Sequence, residues 1–275
     1  MDGLTAMRVV PAGAGWTWIR SGFALFRAQP VVWVALAFAY WSIMSLVALV
    51  PFIGFGASLV LVPIFSVSFM NIARVAARGQ RPEFQMLASG FRERLKPLVI
   101  LGLIYLVLHL ALFAVLLAVS PLGDEFPDVR RLGENSPEAA ALEAALFRAM
   151  LIGVALYVPI VAAFWYAPVL TAWHGQSPPK SLFFSFFAVL ANWRAFLVYG
   201  IAATTLAALL LGIAIMLMSA FAAGRGGGAE AIRLALPFYV ATLMPVLFAS
   251  FYASYRDVFP AEDEAPKPLL EQGHQ

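Results

Sequence analysis

The chain has 275 residues, of which 62% are hydrophobic and only 12% charged, and its mean hydropathy is +0.86. Soluble domains are roughly half apolar and about a quarter charged, so this composition points away from a water-soluble fold. The net charge of +3 sits on residues flanking apolar blocks, with no soluble basic domain to engage nucleic acid. The absence of cysteine excludes disulfides, thiolate nucleophiles and cysteine metal sites.

Arg8, Arg20 and Arg27 precede an apolar stretch too long for a signal-peptide core, with no small-residue cleavage site after it. The first span is therefore expected to stay in the mature protein. Spans are predicted at 31–50, 55–76, 97–119, 150–173, 195–218 and 234–255, each near the ~20 residues that cross a hydrocarbon core of about 30 Å. Pro51, Phe52, Ile53 and Gly54 form an uncharged turn between the first two. In the outer loop, Ser136 followed by Pro137 and Glu138 reads as an N-cap with proline at the first helical position, so the fourth span is expected to begin outside the membrane. The segment 261–275 is acidic and proline-bearing, and is predicted to be a disordered cytoplasmic tail after a single membrane domain over 1–260.

Alternating the spans places 13 Lys and Arg residues on one side and 5 on the other (Arg130, Arg131, Arg148, Arg225 and Arg233). The positive-inside bias puts the richer side, with both termini, in the cytoplasm. Before each pair of spans comes a segment too polar to cross but periodic enough for a surface helix. In 15–29 the apolar residues are Trp16, Ile19, Phe23 and Phe26; in 83–96 they are Phe84, Leu87, Phe91 and Leu95; 181–193 leaves only a narrow polar stripe of Ser181, Ser185 and Asn192. All three are expected in the cytoplasmic interface. Ser21-Gly22-Phe23 recurs as Ser89-Gly90-Phe91 and as Ser185-Phe186-Phe187. Nine identities over 30 positions relate 62–91 to the segment 96 residues later. The fold expected is thus all-α and polytopic: six transmembrane helices as three hairpins, each preceded by an interfacial amphipathic helix and related by a rough threefold repeat, with two repeat units and an extra hairpin as the alternative.

Pro63, Pro159 and Pro245 each fall inside an even-numbered span, where proline frees the carbonyl four residues earlier, here Leu59, Ala155 and Ala241. They are candidates either for lining a solute path or for helix curvature that aids packing. His109 lies near the middle of the third span with no Asp, Glu, Lys or Arg at that depth. It is a candidate for proton relay or ligand binding, against a neutral imidazole hydrogen-bonded locally, with Tyr105 one turn earlier as a partner. His174, between Trp173 and Gly175, is a candidate for headgroup or partner contact, against simple interfacial anchoring. Gly200, Thr204, Ala208 and Gly212 form a small-residue packing face, within the protomer or between protomers of a homo-oligomer. The basic second loop offers charges to anionic lipid headgroups, although topology requires them anyway.

The glycine run Gly224 to Gly228 is not a phosphate loop, because no strand precedes it and no Gly-Lys-Ser/Thr follows. Histidines at 109, 174 and 274 have no zinc spacing, there is no Gly-x-Ser-x-Gly, and no acid pair lies in a span. No catalytic, cofactor-binding or metal-ligating residue is expected, and no cofactor.

The run Arg8 to Trp18, and Trp173-His174-Gly175 with Ser181 to Phe196, resemble an uncharacterised family of proteobacterial multi-span inner-membrane proteins. The resemblance implies a bacterial inner-membrane location and no particular activity. The functional expectation is a non-enzymatic organiser of lipids or membrane protein partners, with a permease or channel for an apolar or uncharged solute as the alternative.

Overall fold

The computed structural model describes residues 7–119, 137–222 and 228–260, and every regular element in them is helical. In chain order these are α1 (Ala14–Ala28), α2 (Pro30–Ala48), α3 (Gly54–Ala77), a 3-10 turn (Phe84–Ala88), α4 (Ser89–Arg92), α5 (Leu95–Val119), α6 (Pro137–Trp173), α7 (Pro178–Ala191), α8 (Trp193–Ala222) and α9 (Gly228–Val258). Among the described residues six helices, α2, α3, α5, α6, α8 and α9, are long and apolar enough to cross a bilayer. They fall where the hydropathy predicts them. The 37 residues of α6 span about 55 Å, so this helix extends well past the hydrocarbon core. It begins at Pro137, as proline at the first helical position predicts. Ser136, most of the outer loop, the centre of the glycine run and the segment 261–275 lie outside the described residues.

Local chemistry accounts for the helix ends. Phe52 takes a left-handed φ of 65° in the turn between α2 and α3. Gly79 and Gly175, 96 positions apart, stop α3 and α6 with φ of 74° and 66°, the αL termination that glycine adopts without a Cβ penalty. Consecutive spans α2 and α3, α5 and α6, and α8 and α9 lie against one another, while α3 stands beside both α6 and α9.

The shorter helices gather at one end of this bundle and depart from expectation in three ways. First, 83–96 is not one amphipathic helix: a 3-10 turn gives way to α4, Glu93 is extended, Arg94 has φ 38°, and Leu95 already belongs to α5. The break lets Gly90 press against α3, where an added Cβ would stand 2.1 Å from the Ile64 carbonyl oxygen. Second, α1 packs chiefly on α8 and α9, the last two spans, rather than on the pair that follows it. A Cβ on Gly22 would stand 2.4 Å from the Val246 carbonyl oxygen and 2.7 Å from Ser250 Cβ. Ile64 and Val246 each follow the in-helix proline, and Ser68 and Ser250 each lie five residues after it, so α4 sits on α3 as α1 sits on α9.

Third, α7 is inside out. Its polar stripe of Ser181, Ser185 and Asn192 is buried, while Phe183, Phe187 and Leu190 are exposed. The Ser185 hydroxyl enters the α6 backbone ladder, donating to the Ala162 carbonyl and accepting from the Tyr166 N–H, both at 2.8 Å, an insertion of the kind that bends helices. The Thr171 hydroxyl donates to Ser181 Oγ at 2.8 Å. Asn192 accepts from the Val10 N–H at 2.8 Å and donates to the Arg8 carbonyl at 3.1 Å, clamping the segment before α1. In an apolar surrounding the protein itself is where polar groups find partners, so the stripe turns inward.

Candidate functional site

The six spans line an open cavity of about 560 Å³, within the size range of small-molecule sites. Each odd-numbered span supplies one tyrosine to it: Tyr40 from α2, Tyr105 from α5 and Tyr199 from α8. Each even-numbered span supplies an aromatic residue six positions after its proline: Phe69 from α3, Trp165 from α6 and Phe251 from α9. Toward the short-helix end Phe69 stacks on Phe248, with centroids 3.9 Å apart and planes at 6°. Tyr40 meets Phe65, Phe69 and Phe248 edge-on. The lining is therefore aromatic and aliphatic, relieved by tyrosine hydroxyls and Ser66. Such a surface suits a hydrocarbon or aromatic body.

Beyond the stacked rings lies a polar node built around Asn71, which is 4% exposed. Its amide donates to Ser89 Oγ at 3.0 Å and Glu93 Oε1 at 2.8 Å. Its carbonyl accepts from Arg74 Nη2 at 2.9 Å and Trp173 Nε1 at 3.1 Å. All four of its hydrogen-bonding positions are used. The Arg74 guanidinium sits 4.2 Å from the centroid of the Trp173 ring, and Trp173 meets Tyr255 edge-on. Asn71 of α3 thus ties α4 to the end of α6, and Trp173 carries the contact on to Tyr255 of α9.

The residues singled out by sequence fall in different places. Pro63 is in the cavity wall, whereas Pro159 is exposed and faces a separate groove beside α7 and α8. Pro245 is buried next to two lining residues, Met244 and Leu247, without lining the cavity itself. His109 Nδ1 donates to the Tyr105 carbonyl of its own helix at 2.8 Å, since a carbonyl can only accept. Its ring lies 3.9 Å from that of Tyr105 and outside the cavity lining. His174 Nε2 pairs with the Tyr255 hydroxyl at the edge of the polar node, and burial lowers its pKa below the ordinary histidine value. Gly200, Thr204, Ala208 and Gly212 are all exposed, and a Cβ on Gly200 or Gly212 would meet nothing within 4 Å. At those two glycines the stripe is not a packing face within the protomer.

No described family profile matches the chain, and no solved structure matches it. Over 267 residues it is 38% identical to a probable inner membrane protein of Burkholderia thailandensis, covering 94% of this chain and 96% of that one. The chain belongs to this family of inner-membrane proteins. Its six apolar helices and this kinship make it a multi-pass protein of the bacterial inner membrane.

Sequence reasoning missed most of what organises this inner-membrane protein. The aromatic residue six positions after each of three prolines was a readable signal for the cavity. Asn71 had none, because its four partners come from sequence separations of 3, 18, 22 and 102 residues.

Proposed function

We propose that this inner-membrane protein is a non-enzymatic lipid-binding organiser that holds an apolar chain or ring system in its central cavity. The observation that carries the reading is the aromatic lining, closed toward the short helices by the Phe69–Phe248 stack and the Asn71 node. Binding needs only a dry pocket with a few polar anchors; steady permeation would have to open the stack and the node at every cycle. The fold is read as three hairpins, with α1, α4 and α7 in the cytoplasmic interface. The 13-to-5 distribution of Lys and Arg supports cytoplasmic termini. The matching placements of Gly22 on α9 and Gly90 on α3 support a threefold repeat in which the N-terminal helix completes the last unit.

The test is native mass spectrometry of protein extracted in mild detergent, comparing wild type with Ala203→Trp, which fills the cavity from α8. Wild type is expected to carry an apolar adduct that the variant lacks. An empty wild type, or an adduct unchanged in the variant, overturns the reading. Permeation of an uncharged solute is the second reading, favoured by Pro63 and Pro168 in the cavity wall. Uptake or export lost in Pro63→Ala with normal folding would support it.

A further inference from the structure

We propose that the groove between α1 and α8 binds an anionic glycerophospholipid. This site is separate from the central cavity and does not depend on what that cavity holds. Trp16, Ile19 and Phe23 of α1 and Leu206 of α8 wall a space of about 440 Å³, with Arg20 and Arg27 at its rim. The opposite face of α1, with Gly15, Trp18 and Gly22, is buried in the protein, so the groove looks outward.

The occupant is specified by charge. Arg20 and Arg27 are the only charged residues in α1. Seven residues apart, they lie on one face of the helix, two turns from each other. Neither has a hydrogen bond, an ion pair or a ring contact within the described protein. Arg74 pairs with Asn71 and Trp173, Arg94 with the Thr171 carbonyl, Arg194 with Trp193 and Arg256 with Tyr252. The side chains of Arg78, Arg81, Arg92 and Lys96 are unpaired within the described protein too, and what sets Arg20 and Arg27 apart is that both line the same apolar groove.

α1 itself is tied to the ends of the spans: Trp18 Nε1 donates to Asp257 Oδ2 in the last turn of α9 at 2.7 Å, and Gln29 Nε2 donates to the Gln80 carbonyl just past α3 at 3.2 Å. Two unpaired guanidinium groups bordering an apolar trough near the boundary of headgroups and acyl chains match a molecule with a phosphodiester at one end and hydrocarbon at the other. Their long side chains can converge on one phosphate while an acyl chain lies along Phe23 and Leu206.

The test measures retained lipid by native mass spectrometry of the full chain in mixed micelles. The probes are phosphatidylglycerol and phosphatidylcholine with identical acyl chains. Each arginine near an anionic headgroup contributes about a fivefold preference, so wild type should favour phosphatidylglycerol by about 25-fold. Arg20→Gln with Arg27→Gln should remove that preference, with phosphatidylglycerol losing far more binding than phosphatidylcholine. The charge-matched control Lys180→Gln with Arg194→Gln, whose charges lie over Phe184 and Trp193, should stay within about twofold of wild type. A wild type without preference, or a control that loses as much as the groove variant, overturns the proposal. If the arginine variant does not fold, Leu206→Trp fills the groove without touching a charge: lost phosphatidylglycerol supports the site and unchanged binding overturns it.

Discussion

Replacing Gly90 by alanine adds one methyl group where α4 meets α3. That carbon would stand 2.1 Å from the Ile64 carbonyl oxygen, 2.9 Å from Ser68 Oγ and 3.0 Å from the Ile64 carbonyl carbon. Ordinary carbon-to-oxygen contact is about 3.3 Å, so α4 must withdraw by about 1 Å. Two of its anchors suffer: the Gly90 N–H to Ser68 Oγ bond at 3.0 Å and the Ser68 to Leu87 carbonyl bond at 2.8 Å. Overpacking costs about 1–3 kcal/mol and a lost hydrogen bond about 1 kcal/mol, giving about 2–4 kcal/mol in total. Detergent-driven unfolding in mixed micelles, followed by tryptophan fluorescence, measures this difference. Gly200→Ala is the internal control, because its Cβ meets nothing within 4 Å; it should stay within about 0.5 kcal/mol of wild type or gain slightly from helix propensity. If Gly90→Ala costs no more than Gly200→Ala, the close approach of α4 to α3 is wrong, and with it the equivalence between Gly90 on α3 and Gly22 on α9.

Other consequences can be checked in the same preparation. Asn192→Ala removes the clamp on Arg8 and Val10, so trypsin should cut after Arg8 at least severalfold faster, with the bundle destabilised by about 2 kcal/mol; an unchanged cleavage rate contradicts the clamp. The lowered pKa of His174 means that the unfolded chain takes up a proton there before the folded protein does. Its contribution is therefore fully present above the ordinary histidine pKa of about 6.5 and is lost as pH falls from there through the folded value. His174→Gln should flatten stability over that interval, and an identical pH profile would remove the assignment. His109→Phe should leave stability within about 1 kcal/mol and cavity occupancy within about twofold, because its bond is to its own helix. A lost adduct in that variant would return His109 to the site.

The six spans and the start of α6 at Pro137 were legible in the sequence because each rests on local chemistry: run length, hydropathy and proline at a helix start. The stop at Gly175 belongs with them, since a left-handed residue is needed where the helix ends. Which way the polar stripe of α7 faces was not legible, because periodicity shows that Ser181, Ser185 and Asn192 share a face but not whether that face meets water or α6. Nor was the seat of α1 on α8 and α9, a contact between opposite ends of the chain. The difference between Pro63 in the cavity wall and Pro159 facing outward has the same origin: both interrupt a helix identically along the chain, and only the packing of neighbouring spans decides what each one faces. The sequence by itself determined that this chain lives in a bilayer as six helices, because that outcome depends on hydropathy summed over each segment. Tertiary structure alone decided that those helices line an aromatic cavity, that two arginines stand unpaired beside an apolar groove and that α3, α4 and α6 meet at Asn71, because these depend on side chains far apart in the chain arriving at the same point.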